Sequence, residues 1–139
     1  MPGGKGAAYG KRMAIGPGLG ASATLLVEER DTALAMGSGD VPVLATPRVV
    51  ALAEQATVEA VADALGPGMT TVGSEVQLTH LAPSPVGAKV TADVVLESVE
   101  SRRLVFRVSV TDANGLVAVG RITRVAVQRD RFMERAKGA

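Results

Sequence analysis

The chain has 139 residues, of which 47% are hydrophobic and 21% charged, with a formal net charge of +1. That length fits one domain with a real core, and the near-balanced charge leaves no footprint for nucleic acid or an anionic membrane surface. Aromatic residues make up only 2% and cysteine is absent, which excludes base-stacking platforms, disulfides, thiolate zinc sites and cysteine nucleophiles.

His80 is the one histidine, so any imidazole chemistry has to use it, and a metal site would have to rest on carboxylates. The expectation is therefore a metal-free site. The N-terminus lacks the apolar stretch of a signal peptide, and no segment is apolar enough to span a bilayer. A cytoplasmic protein is expected.

Residues 1–20 hold seven glycines and no periodicity. They read as a flexible, glycine-rich arm preceding a single domain over 21–139. Within the arm, GPGLG at 16–20 lacks the strand–helix context of a phosphate-binding loop. Residues 21–29 (ASATLLVEE) predict a first strand, and 32–39 (TALAMGSG) a single helical turn before a loop.

A long helix follows over 47–65. Thr46 suits the N-cap and Pro47 the first helical position, where a missing N–H is harmless. Gly66-Pro67-Gly68 marks the stop. At 100° per residue, Arg48, Gln55, Glu59 and Asp63 fall on a solvent stripe, with Val50, Val58, Val61 and Leu65 opposite. Glu54 sits in that apolar face. A carboxylate among core positions is costly unless paired, hydrogen-bonded or protonated.

Four strand-like runs come next. In 69–81 the even positions Val72, Ser74, Val76, Leu78 and His80 share one face, and Gly73, Glu75, Gln77 and Thr79 the other. Gly73 reads as a bulge or close-approach position. Pro83-Ser84-Pro85-Val86-Gly87 breaks this run. In 89–100, Val90, Ala92, Val94 and Leu96 point inward. After a turn at 101–103, Leu104, Phe106, Val108 and Val110 do the same. Asp112-Ala113-Asn114-Gly115 suits a hairpin. Residues 116–128 are apolar on both parities, and 129–136 predict a terminal helix. The pattern is a strand, a long helix and a four-stranded antiparallel meander: an α+β fold with one central helix wrapped by a curved sheet. Its size and composition point to a dimer.

Thr46, Glu54 and His80 are thus aimed at one layer. A neutral imidazole beside a carboxylate can act as base or orient water. A hydroxyl can attack or donate a hydrogen bond, and the amides at a helix start can stabilise an oxyanion. Each residue also has a structural reading. His80 fits a packed strand-end histidine, Thr46 an N-cap, and Glu54 an ion pair with an arginine or a dimer contact. Arg102, Arg103, Arg129 and Arg131 could meet phosphates, beside the plainer reading as solvated surface charges.

Several stretches together, VLATP at 43–47, the helix leading to Glu54, VGSEVQLTHLAPSPVG at 72–87, SRRLVFRVSVTD at 101–112 and VGRITRVAV at 119–127, resemble the fluoroacetyl-CoA thioesterase-like family of single-domain hot-dog proteins. The resemblance covers about 21–132. It implies hydrolysis of an acyl-CoA thioester without a separate cofactor, since CoA belongs to the substrate. It implies a hot-dog dimer formed edge to edge, with pairing of dimers into a tetramer left open. Thr46, Glu54 and His80 are implied as the catalytic set, and Gly73 and Arg124 as groups holding the acyl end. The family's fluoroacetyl-selective member carries aromatic residues around its lid. Here 36–43 has none, which implies a different or broader small acyl group. Two other readings stand beside hydrolysis. A hot-dog domain can bind acyl-CoA without turning it over. A hydratase would need an Asp shortly before His80, where Gln77, Leu78 and Thr79 stand.

Overall fold

The structure, a computed structural model, describes residues 15–138. Most of the expected N-terminal arm, residues 1–14, lies outside them. Within the described part, Ile15 and Leu19 pack on the core. The Gly18 N–H donates to Leu96 O at 2.9 Å and the Leu96 N–H to Leu19 O at 2.7 Å.

The first strand, β1 (Gly20–Leu26), is shorter than predicted. It gives way to a 3-10 turn at Glu29–Asp31, closed by a capping box in which the side chains of Glu28 and Asp31 each accept from the other end's backbone. The single helical turn forms as α1 (Ala33–Met36), ended by Gly37 in the left-handed region.

The long helix α2 (Thr46–Val61) carries a 3-10 extension at Ala62–Ala64, so regular α geometry stops one turn before the glycine-proline signal. Its buried positions are Val49, Leu52, Ala53, Ala56, Thr57 and Val61. This corrects the expected face: Val58 is 46% exposed, and Val50 is half-buried. The helix lies across β1 and the third strand. There the alanine stripe allows close approach, while the larger Val50, Glu54 and Val58 are left on the flank. Arg48, expected in solvent, is half-buried and paired with Asp31 at 3.0 Å.

The remaining elements are β2 (Met69–His80), β3 (Lys89–Glu100), β4 (Arg103–Asp112), β5 (Gly115–Gln128) and α3 (Arg129–Ala136). The strands form one curled antiparallel sheet in the order β1-β3-β4-β5-β2. Only β3, β4 and β5 make a meander. β2 crosses to the far edge and pairs with β5, which corrects the expected four-stranded run. The physical reason lies in 81–88. This proline-containing link is too long for a tight hairpin, and its backbone is used elsewhere. Leu44 N–H donates to Ser84 O at 2.8 Å, and Gly87 N–H to Val27 O at 2.8 Å.

The inward sets of β3 and β4 are as expected. Val90, Ala92, Val94, Leu96, Leu104, Phe106, Val108 and Val110 are all buried and line the core beneath α2. The expected helix-in-sheet architecture is the one observed.

Candidate active site

Strand β2 carries a register shift between Gly73, opposite Arg124, and Glu75, opposite Thr123. One extra residue reverses the facing of everything beyond it. Val76 and His80 pair with Ile122 and Ala118, both buried. Gly73 and His80, opposite in parity, therefore both face the helix-covered layer. Both readings of Gly73 hold: the bulge lies directly after it, at Ser74, and Glu54 approaches too closely for a Cβ at Gly73.

Two clusters occupy that layer. The first joins Thr46 and His80. Ala45, not Thr46, is the N-cap of α2, and its side chain offers no cap. Thr46 is already helical, and its Oγ1 lies 2.7 Å from His80 Nδ1. The expected cap is corrected: the hydroxyl is committed to imidazole instead. The other ring nitrogen, His80 Nε2, is buried without a partner. The pair borders a cleft of about 340 Å³ whose wall includes Ser38, Gly39, Val41, Leu81 and Pro83.

Residue 31 fixes the start of the helix. The Ala45 N–H donates to Asp31 O at 2.9 Å, and the Arg48 Nε–H donates to Asp31 Oδ1 at 3.0 Å. Asp31 Oδ2 also accepts from the Glu28 N–H at 2.8 Å. Arg48 and Val49 both donate to Ala45 O, and Pro47 has no N–H. Among the described residues this leaves the Thr46 amide as the open donor at the helix start. Sequence reasoning missed Asp31 and Arg48 because their link spans a loop and has no periodic signature.

The second cluster surrounds Glu54. Its Oε2 accepts from Arg124 Nη1 at 3.3 Å. Arg124 is itself held by Thr71, donating through Nε to Oγ1 at 2.8 Å and through Nη2 to the carbonyl at 3.0 Å. The Arg124 side chain is 7% exposed and the Glu54 side chain 37%. Burial pushes Arg124 below its ordinary pKa, and Glu54 opposes the shift. Gly73 completes the cluster, because a Cβ there would collide with Glu54 Oε2. Of the two structural readings of Glu54, the ion pair with an arginine is present. Thr71 was not anticipated. It sits before the bulge, where strict alternation places it outward.

Thr46–His80 and Glu54–Arg124–Gly73 do not touch within the chain. Thr46 and Glu54 are eight helical positions apart, roughly 12 Å at 1.5 Å per residue. Gly73 and His80 are seven strand residues apart, roughly 20 Å.

Comparison with known proteins then adds identity to geometry. The family described as fluoroacetyl-CoA-specific thioesterase matches residues 27–130. The fluoroacetyl-CoA thioesterase of Streptantibioticus cattleyicolor is 39% identical over 90 residues, 65% of each chain, so this chain spans 65% of the length of that curated relative. The solved structure of the fluoroacetyl-CoA thioesterase FlK superposes with a TM-score of 0.84 at 29% identity, covering 90% of this chain and 97% of that one. A hot-dog-like protein from Thermanaerovibrio acidaminovorans gives 0.81 at 27%, covering 88% and 90%. These likenesses bear out the resemblance and the hot-dog fold expected from the sequence. By its family match and its architecture, the chain belongs to the fluoroacetyl-CoA-specific thioesterase family.

Proposed function

We propose that this protein is an acyl-CoA thioesterase for small acyl groups, needing no cofactor, with residues 21–139 forming one hot-dog domain. The observation that carries the reading is the 2.7 Å contact between Thr46 Oγ1 and His80 Nδ1 beside an open cleft, in a chain of this family. With Nδ1 as acceptor, His80 takes a proton from Thr46 or from a water in its place. The new C–O bond forms at the thioester carbonyl, the C–S bond breaks, and the proton passes to the CoA sulfur. When Thr46 attacks, water then hydrolyses the acyl-threonine. The open Thr46 amide is placed to receive the developing oxyanion. Glu54, Arg124 and Gly73 hold the acyl end.

The separation of the two clusters supports completion across a homodimer. β2 is an edge strand of 12 residues, exposed over 73–77, and an unpaired edge of that length is a template for another strand. Antiparallel pairing of two β2 strands about a two-fold axis runs them in opposite directions. It brings the Thr46–His80 end of one protomer alongside the Glu54–Arg124 end of its partner. Pairing of such dimers into tetramers would use another surface, because the β2 edge is taken up within the dimer. No helix among the described residues is long and apolar enough to cross a membrane; together with the balanced charge, this supports a cytoplasmic protein acting on CoA esters without a nucleic-acid partner.

The lid region 36–43 has no aromatic residue, which supports a small acyl range without fluoroacetyl selectivity. The test is thiol release from acetyl-, fluoroacetyl-, propionyl- and butyryl-CoA by the wild type and His80→Ala. Hydrolysis lost in the variant supports the assignment. Full hydrolysis by the variant removes His80 from the mechanism, and tight CoA-ester binding without thiol release turns the protein into a binder. Light scattering of a β2 variant, Val76→Lys, reports the dimer through a fall to monomer mass.

A further inference from the structure

We propose that Ser84 is a positioning residue of the active site: through its carbonyl and its hydroxyl it sets the approach of Thr46 to His80, with Asp112 as its anchor. This deepens the thioesterase reading and rests on it for the reaction, while the geometry stands without it.

Ser84 lies in the link after β2 and is 0% exposed. Its carbonyl accepts from the Leu44 N–H at 2.8 Å. Leu44 stands two residues before Thr46, and Ser84 four after His80. Two hydrogen bonds therefore join the same two segments, the second being the 2.7 Å contact between Thr46 Oγ1 and His80 Nδ1. Together they close a small ring through Leu44–Ala45–Thr46 on one side and His80–Leu81–Ala82–Pro83–Ser84 on the other. An antiparallel bridge between Val43 and Pro85 continues it. All members except Ala45 and Ser84 border the cleft, so the ring is part of the cleft wall.

Both sides of the ring are held. Pro83 and Pro85 fix their own φ angles and disfavour helical geometry at Ala82 and Ser84. The Leu81 N–H donates to Val117 O at 2.7 Å, which keeps the chain against β5 as it leaves His80. On the Thr46 side, Thr32 bridges Leu44, and the Ala33 N–H donates to Val43 O at 2.8 Å. The Ser84 side chain fixes where the two sides meet. Its Oγ donates to Asp112 Oδ2 at 2.8 Å. Asp112 ends β4, and its Oδ1 accepts from the Asn114 N–H at 2.8 Å, so the β4–β5 hairpin orients the carboxylate. Among the described residues no basic side chain pairs with Asp112, and both of its oxygens serve this network. An apolar side chain of serine's size would fill the same space. A hydroxyl on a carboxylate adds direction, because a charge-assisted hydrogen bond holds distance and angle more narrowly than apolar packing does.

The test reads the imidazole and the reaction separately, in Ser84→Ala, Asp112→Ala and the double variant. Thermal melting confirms folding, and Asp112, half-buried on a hairpin, keeps the proposal testable should Ser84→Ala not fold. His80 is the one histidine, so histidine-selective 15N labelling of the untagged protein gives a single imidazole spectrum. At a pH where the ring is neutral, Nδ1 as acceptor leaves the proton on Nε2, and two well-separated nitrogen signals are expected in the wild type. In each variant they should move toward each other as the tautomers mix. With acetyl-CoA, kcat is expected to fall about tenfold with KM within about twofold, as for a misplaced catalytic pair. The double variant should be no worse than either single one, since both remove the same bond. An unchanged His80 spectrum overturns the proposal, whatever happens to melting or rate. Additive losses in the double variant overturn it too, because Asp112 then acts elsewhere. A wild type that hydrolyses no acyl-CoA removes the thioesterase reading, while the spectra still decide whether Ser84 positions His80.

Discussion

The Glu54 carboxylate rests where a side chain at Gly73 would stand. A Cβ at Gly73 would meet Glu54 Oε2, with Arg124 Nη1 3.5 Å away. Gly73 is therefore required by close approach, and its substitution acts directly on the Glu54–Arg124 pair. Gly73→Ala is expected to lower kcat about a hundredfold, the scale of an ångström-level misplacement in a site. Overpacking should also destabilise the fold by about 1–3 kcal/mol. Steady-state kinetics with acetyl-CoA and urea unfolding measure the two effects.

Thr46 separates a capping role from a catalytic one. Loss of an N-cap hydroxyl destabilises by about 1 kcal/mol, but Ala45 holds that position and Thr46 Oγ1 meets His80. Thr46→Ala should therefore change unfolding free energy by less than about 0.5 kcal/mol while cutting kcat by about a hundredfold or more. Thr46→Ser should retain much of the activity. A large stability loss with activity intact would return Thr46 to a structural role.

Asp31 holds the start of α2 through Arg48 and the Ala45 amide. Its residue is 4% exposed, so removing the charge strands a half-buried guanidinium. Asp31→Ala is expected to destabilise by about 3 kcal/mol and, by loosening Thr46, to raise KM as well. Equilibrium unfolding and kinetics on the same preparation check both.

Glu97 reports on the outer face of the sheet. Its hydrogen bond from Arg121 lowers its pKa below the ordinary 4.5, and the two approach to 2.8 Å. A depressed carboxylate pKa stabilises above the unfolded value and loses that contribution as pH falls through the folded one. The Tm difference between wild type and Glu97→Gln should be small and positive at pH 7. It should vanish once pH has fallen through the depressed value, and shrink with added salt.

Val41 is half exposed on the wall of the Thr46–His80 cleft, and under the proposed function a larger side chain there narrows the space around the thioester. Val41→Phe is expected to reduce kcat/KM for butyryl-CoA about tenfold relative to acetyl-CoA, the scale of a methylene-sized steric change. A panel of saturated acyl-CoA esters measures the ratio.

Local patterning determined much of this protein. The alternation of Val90, Ala92, Val94 and Leu96, and of Leu104, Phe106, Val108 and Val110, specified which sheet face is buried, because side chains alternate along any strand. Glu54 stood out as a charge against the helix's own pattern, and the linear motifs around Thr46 and His80 carried the family. The tertiary structure decided what depends on contacts between distant segments. The β2 bulge turned Gly73 and His80 onto one face, and strand crossover put β2 on an open edge. Packing rotated α2 onto its alanines. The Thr46 hydroxyl went to His80, 34 positions away, and Glu54 went to Arg124, 70 positions away. Neither partner leaves a periodic trace in the chain, because a side-chain pair formed across a layer is set by how elements pack. Glu54 began as a misplaced charge on a capped helix; the fold gives it Arg124 as partner and Gly73 as the space it needs.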